Sequence, residues 1–191
     1  MGQIIVTRTN LDNVLLIEPQ LFIDSRGFFV ESYNKKDFSV AGIIDEFVQD
    51  NHSKSQKGVL RGLHFQYPHS QGKLVRVLKG SIYDVVVDIR IGSPTYGMHI
   101  GVLLNERSPK MLFVPLGFAH GFLVLEDNTE VMYKVTDWYY PQGDAGLLWN
   151  DPELKISWPL KEYGIETPIL SEKDMCHPNL RDFKSPFIYH Q

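Results

Sequence analysis

The strongest signal along the chain has a period of two. From Tyr83 to Ile89 the odd positions (Tyr83, Val85, Val87, Ile89) are apolar, while the even ones include Asp84 and Asp88, and Arg90 follows. This alternation predicts a strand with one face in a core. A second β-branched run, Lys73–Leu78, precedes it, and Lys79 and Gly80 separate the two as a hairpin turn would. Further runs span Val14–Ile17, Phe28–Tyr33, Phe47–Gln49, Gly58–Gln66, Ile100–Leu104, Met111–Val114, Gly121–Leu125 and Val131–Tyr139. Turn signals fall between them at Asp24–Gly27, Gly92–Pro94 and Asp127–Asn128. Many short strands at spacings of about 8–12 residues predict an antiparallel sandwich or barrel rather than a βαβ fold. Helical signal is sparse: a short helix over Asn34–Ala41, and a helix start at Ser171–Asp174 with Ser171 as its cap. The chain reads as one domain over residues 1–191 with an irregular C-terminal tail from about Asp151.

Composition narrows the function classes. The 191 residues, 43% hydrophobic and 22% charged, suit one globular unit with a real core. A net charge of −4 gives no global attraction to nucleic acid or to an anionic membrane, although a local basic patch can still hold a phosphate ester. With one cysteine, Cys176, there is neither an internal disulfide nor a cysteine-built zinc site, which suits a reducing cytoplasm. Neither a signal peptide nor a membrane span is read from the pattern, and a cytoplasmic protein is expected.

Candidate chemistry lies where polar residues interrupt apolar strands. Gln49, Asn51, Arg61 and His64 do so, and unpaired polar groups are costly in such places. Gln49 and Asn51 share parity and so face one way. A polar set on an inward face marks either a cavity for a polar ligand or an internal hydrogen-bond network. His64 is the best base candidate, because imidazole titrates near neutrality and can take a proton from carbon and return it. An acidic partner such as Asp174 would strengthen that role. Lys73, at the start of its strand, could stabilise an oxyanion, or could be an ordinary strand-end lysine. Tyr133 and Tyr139 have the same parity and would lie about 20 Å apart on a regular strand, as acid and stacking platform or as core aromatics. Pro115-x-Gly117-x-x-His120 looks like the second half of a cupin metal motif. The first half offers only Leu63–Gln66, too few ligands for a metal of the usual kind, so the site is expected to be metal-free.

As a set, these residues resemble a known family. Phe22-x-Asp24-x-Arg26-Gly27-x-Phe29-x-Glu31, the blocks Gln49–Ser53, Gly58–Gln66, Gln71–Arg76, Val87–Arg90, Gly92–Thr95 and Phe113–Phe122, then Tyr133–Asp137, Trp149–Pro152 and Leu170–Asp174, are similar to the dTDP-4-dehydrorhamnose 3,5-epimerases. The match runs in order from about Phe22 to Asp174. The resemblance implies an all-β fold, a double-stranded β-helix of the cupin or jelly-roll type with short peripheral helices, and a homodimer with exchanged N-terminal strands. It implies inversion at C3 and C5 of a dTDP-linked 4-keto-6-deoxyhexose without a cofactor.

Residue by residue, the resemblance makes His64 the proton acceptor, Asp174 the carboxylate that orients it, Tyr133 the proton donor, and Lys73 the cation beside the keto oxygen. Arg26, Glu31, Gln49, Asn51, Arg61, His120, Asp144 and Lys173 fall on substrate-contacting positions, with Arg26 and Glu31 acting in the partner's pocket. Tyr139 matches the aromatic that stacks on thymine. The family varies between Glu and Asp at position 144, and the shorter Asp144 here would retain the acceptor. Rival readings are a mono-epimerase or 3,4-ketoisomerase on the same scaffold, a non-catalytic carbohydrate-binding β-sandwich, and a metal cupin oxygenase.

Overall fold

The computed structural model describes residues 3–190, and its strands pair antiparallel throughout. In chain order the strands are β1 (Ile4–Arg8), β2 (Leu15–Pro19), β3 (Leu21–Asp24), β4 (Gly27–Val30), β5 (Gln49–Ser55), β6 (Leu60–Gln66) and β7 (Lys73–Lys79). They continue with β8 (Ser81–Asp88), β9 (His99–Asn105), β10 (Met111–Val114), β11 (Phe118–Val124), β12 (Thr129–Val135) and β13 (Asp144–Gly146). Two short α-helices are α1 (Lys35–Val40) and α2 (Glu172–Met175). One six-stranded sheet has the order β1-β2-β10-β7-β12-β5, and a five-stranded sheet has the order β13-β6-β11-β8-β9.

The two sheets close on a shared core. Val75, Val77, Leu112, Val114 and Val131 of the first sheet pack with Ile82, Val86, Leu104, Phe118, Phe122 and Val124 of the second. This is the double-stranded β-helix of the cupins. The alternation in β8 has a different meaning from a strand with one buried face, because both of its faces are covered. Ile82, Asp84 and Val86 share the parity that enters the inter-sheet core. Val85, Val87 and Ile89 face the opposite way and are covered by Leu154, Ile156, Trp158, Leu180, Phe183 and Phe187 of the C-terminal segment. Asp88 sits on the inner parity and is satisfied by Arg90, Ser93 and Thr95. The segment after Gly146 therefore has no strand among the described residues, yet it acts as the outer cover of the five-stranded sheet.

The other sheet is covered by α1. Asn34 caps this helix by accepting from the Lys36 amide at 3.0 Å. Phe38 drops into a cluster with Ile17, Ile43, Leu74, Met111 and Phe113, a burial that stabilises by roughly 1.5–3 kcal/mol.

β1, β3 and β13 are not among the expected runs and β11 begins earlier, at Phe118, while three further strands differ in ways that bear on the site. β5 continues through Gln49–Ser55, well beyond Phe47–Gln49, because its seven residues pair one-for-one with β12. The polar spelling of β5 hides a strand whose alternate side chains face a cavity. β12 stops at Val135, so Tyr139 belongs to the following loop and not to the strand of Tyr133. The Phe28–Tyr33 run yields only β4, which forms a two-stranded hairpin with β3 outside both large sheets. On that hairpin Ile23, Phe28 and Phe29 are 77%, 63% and 69% exposed. Among the described residues no helix is long and apolar enough to cross a membrane.

Candidate active site

Between the sheets lies a cavity of about 440 Å3. The six-stranded sheet lines it with Gln49, Asn51 and Ser53 of β5, Lys73 of β7 and Tyr133 of β12. The five-stranded sheet adds Arg61 and His64 of β6, His120 and Phe122 of β11, and Asp144 of β13. Pairing places Tyr133 opposite Asn51 on one wall and His64 opposite His120 on the other.

Arg61 and His64 are three residues apart, so a regular strand would aim them at opposite faces. The β6–β11 register shifts between His120 and Phe122, so that His120 faces His64 while Phe122 faces Arg61. This irregularity restores a common direction for the two side chains. It requires glycines: Gly62 has φ +119°, and a Cβ there would meet the Gly121 Cα at 2.5 Å.

His64 makes a 2.5 Å hydrogen bond from Nε2 to Asp174 Oδ1. Asp174 is buried, which pushes its pKa up, but hydrogen bonds from His64 and Ser171 and the charges of His64 and His177 outweigh that and hold it below the usual carboxylate value. An ionised Asp174 can only accept, so Nε2 carries the proton and Nδ1 keeps the lone pair. The carboxylate is positioned by α2, whose N-cap Ser171 donates to Asp174 Oδ2 at 2.7 Å and accepts from the Asp174 amide at 3.2 Å. The pairing of His64 with Asp174 that spacing alone left open is thus made by the covering segment.

Lys73 Nζ donates to the His64 carbonyl at 3.4 Å. Burial lowers its pKa to about 8, against the opposing pull of Asp144 and Asp84. The Tyr133 phenol is raised above its ordinary value, chiefly by burial and with help from Asp144 and Tyr139, despite the opposing Arg61. His120 makes a second short pair, 2.5 Å from Nε2 to Asp84 Oδ1, with both side chains buried. Asp84 is a residue the sequence reading assigned only to an alternating strand.

Tyr139 is held by a network. Its amide donates to Gln49 Oε1 at 3.1 Å, the Gln49 amide donates to Asn51 at 2.8 Å, and its hydroxyl donates to Asp144 Oδ2 at 3.3 Å. Lys173 also pairs with Asp144. Gln66 and Gln71, which the sequence reading did not single out, bind the carbonyls of Trp138 and Asp137 at 2.9 and 2.8 Å and so fix the loop that carries Tyr139. Arg26 and Glu31 are not brought to this cavity. Arg26 pairs with Asp24 at the exposed hairpin turn, and Glu31 accepts from Asn34 at 3.0 Å.

A histidine–carboxylate pair, a facing phenol and a buried amine in one polar cavity could move protons at carbon beside a carbonyl. The family model for dTDP-4-dehydrorhamnose 3,5-epimerase matches residues 8–182. The chain belongs to the dTDP-4-dehydrorhamnose 3,5-epimerase family. It is, with that family, an isomerase. The dTDP-4-dehydrorhamnose 3,5-epimerase of Pseudomonas aeruginosa is 51% identical over 169 residues, 88% of this chain and 91% of the relative. A dTDP-6-deoxy-D-glucose-3,5-epimerase of Legionella pneumophila, solved with dTDP-4-keto-L-rhamnose, superimposes with TM-score 0.94 at 44% identity, covering 99% of this chain and 100% of its own. A more distant structure, a 3'-monoepimerase of Streptomyces bikiniensis bound to dTDP-quinovose, superimposes with TM-score 0.83 at 31% identity over 91% of this chain and 86% of its own.

Proposed function

We propose that this epimerase inverts C3 and C5 of dTDP-4-dehydro-6-deoxy-D-glucose, giving dTDP-4-dehydro-L-rhamnose. The observation that carries the reading is that His64 and Tyr133 line one cavity from opposing sheets, with Lys73 in the same wall as Tyr133. A C–H beside the C4 ketone is acidic because the resulting carbanion delocalises onto oxygen. His64 takes that proton at Nδ1, and Asp174 orients the ring and stabilises the imidazolium. The Lys73 ammonium stabilises the enolate oxygen, an interaction worth roughly 3–4 kcal/mol when preorganised. Tyr133 returns a proton from the opposite face, so the centre inverts. Both C3 and C5 flank the ketone, and one base and one acid serve both once the ring shifts and solvent has taken the proton from His64 and returned one to Tyr133.

Arg61 and Lys173 supply positive charge for the diphosphate in a chain of net charge −4. Gln49, Asn51, His120 and Asp144 meet sugar and nucleotide polar groups, and Tyr139 offers a face for thymine. The apolar β3–β4 hairpin fits a homodimer in which it reaches a second copy, carrying Arg26 and Glu31 to that copy's pocket. The protein works in the cytoplasm without a cofactor.

The test is incubation with dTDP-4-keto-6-deoxyglucose in heavy water. Two deuterons incorporated, one at C3 and one at C5, are expected. A single exchanged position would replace this reading with a mono-epimerase, the activity of the 31% identical structural relative.

A further inference from the structure

The segment that delivers Asp174 also delivers His177, which the mechanism does not use. The His177 side chain is 8% exposed, and its Nε2 is buried with no hydrogen-bond partner among the described residues. That nitrogen lies 3.8 Å from Asp174 Oδ1, the same oxygen that accepts from His64. The other carboxylate oxygen is occupied by Ser171, so Oδ1 is left facing both imidazoles. The backbone makes room for this ring, since a Cβ on Gly146 would meet His177 Nε2 at 2.6 Å.

His64, Asp174 and His177 thus each offer one ligating atom within 4.8 Å of the others. Zinc held tetrahedrally at about 2.0–2.1 Å needs donors roughly 3.3 Å apart. The separations of the two imidazole nitrogens from Asp174 Oδ1, 2.5 and 3.8 Å, bracket that value. Two imidazoles and a carboxylate with a fourth position open are the donor set of a zinc site of the catalytic type. This is a different place from the cupin metal position, which would use His120.

We propose that His64, Asp174 and His177 form a site for a zinc-like divalent cation that switches the epimerase off. The ion would take the place of the proton shared by His64 and Asp174. An imidazole bound to a dication is a weak base, so His64 could no longer accept a proton from carbon. The kinetic consequence rests on His64 being the base, whereas the binding does not.

Zn2+ alone is titrated into chelator-treated full-length enzyme during turnover, and Co2+ replaces it for visible absorption. One equivalent of Co2+ should give the intense bands of four-coordination, and Zn2+ should inhibit. His177→Leu should weaken binding and inhibition by about tenfold or more, read as the ratio of its zinc inhibition constant to that of the wild type. If His177→Leu does not give a cooperative melt, His177→Asn is read in its place. Cys176→Ser should change nothing, because that exposed thiol is not a ligand. Equal zinc sensitivity of wild type and the His177 variant, or loss of inhibition in Cys176→Ser, would overturn the proposal. Four-coordinate Co2+ bound with turnover unimpaired would keep the metal site and remove His64 from the role of base.

Discussion

His64 and Tyr133 enter the same cavity from different sheets, one on β6 and the other on β12. In the proposed reaction His64 is the base and Tyr133 the acid, and opposing walls suit inversion because removal and return of the proton occur on opposite faces of the ring. The two residues should therefore separate in their effects. His64→Ala is expected to abolish both turnover and solvent deuterium exchange. Tyr133→Phe should lose inversion by about 10²–10⁴-fold while sparing the first proton removal. Equal loss of exchange and inversion in Tyr133→Phe, measured by mass spectrometry in heavy water, would contradict the division of labour.

If Lys73 stabilises the enolate as proposed, activity should have an alkaline limit. The folded pKa of Lys73 is about 8, below the ordinary 10.5, chiefly through burial. The group is charged below about pH 8 and loses its charge as pH rises through that value, so kcat/KM should fall there. Tyr133 is shifted upward and cannot account for such a limb. Lys73→Arg, charged at every accessible pH, should remove the limb even though its geometry lowers the rate. The sign for stability is the reverse of an ion pair: the folded state disfavours the charged lysine below pH 8 and is relieved as pH rises toward 10.5. Lys73→Met should raise the melting temperature at neutral pH, by about 2–4 °C per kcal/mol recovered, while activity collapses.

The common direction of Arg61 and His64 depends on two glycines. Gly121 also leaves no space for a side chain, since a Cβ there would meet the Arg61 carbonyl at 2.6 Å and the Gly62 Cα at 3.1 Å. Gly121→Ala should destabilise by about 1–3 kcal/mol in denaturant unfolding, as overpacked sites do. Activity measured on the folded fraction should fall further than that loss of stability accounts for, because the shifted register also aims His64. A variant with full specific activity would mean that the irregularity is a packing detail.

How far the sequence carried this reading differs between its parts. β6 to β12 were visible because alternation and β-branched runs survive wherever a strand lines the inter-sheet core. β5 was shortened because a cavity wall is spelled in polar residues, which by periodicity alone look like loop. The meaning of Asp84 was lost for a related reason. Its parity reads as a solvent face until a second layer, the segment after Gly146, is known to cover the other side of β8. Asp174 and His177 lie 110 and 113 positions from His64, and no local pattern carries a contact of that span. The Asp174 role came from family resemblance; His177 had no such signal.

His120 lines the cavity and Asp84 stands behind it, the two side chains 7% and 0% exposed. Removing one member of this pair leaves a buried polar group uncompensated. Asp84→Ala should cost roughly 3–5 kcal/mol of folding free energy, as breaking buried pairs does. Asp84→Asn, keeping an acceptor oxygen for His120, should cost markedly less. Chemical denaturation of the two variants side by side checks this, and equal losses would show that shape rather than the paired charge governs the site.

Arg26 tests whether the hairpin serves a second chain. Its side chain is 88% exposed and bonds only to Asp24 across the turn among the described residues, and such a surface pair is worth about 0–1 kcal/mol. In a lone chain Arg26→Ala would change nothing. If β3 and β4 reach into a partner, the same change should raise KM, with kcat less affected. Mixing decides between these cases. When Arg26→Ala chains are unfolded and refolded with His64→Ala chains, each mixed dimer holds one pocket with an intact His64 from the first chain and an intact Arg26 from the second. That pocket should show wild-type KM although neither parent does. If KM in the mixture stays at the Arg26→Ala value, the hairpin does not complete its neighbour's site.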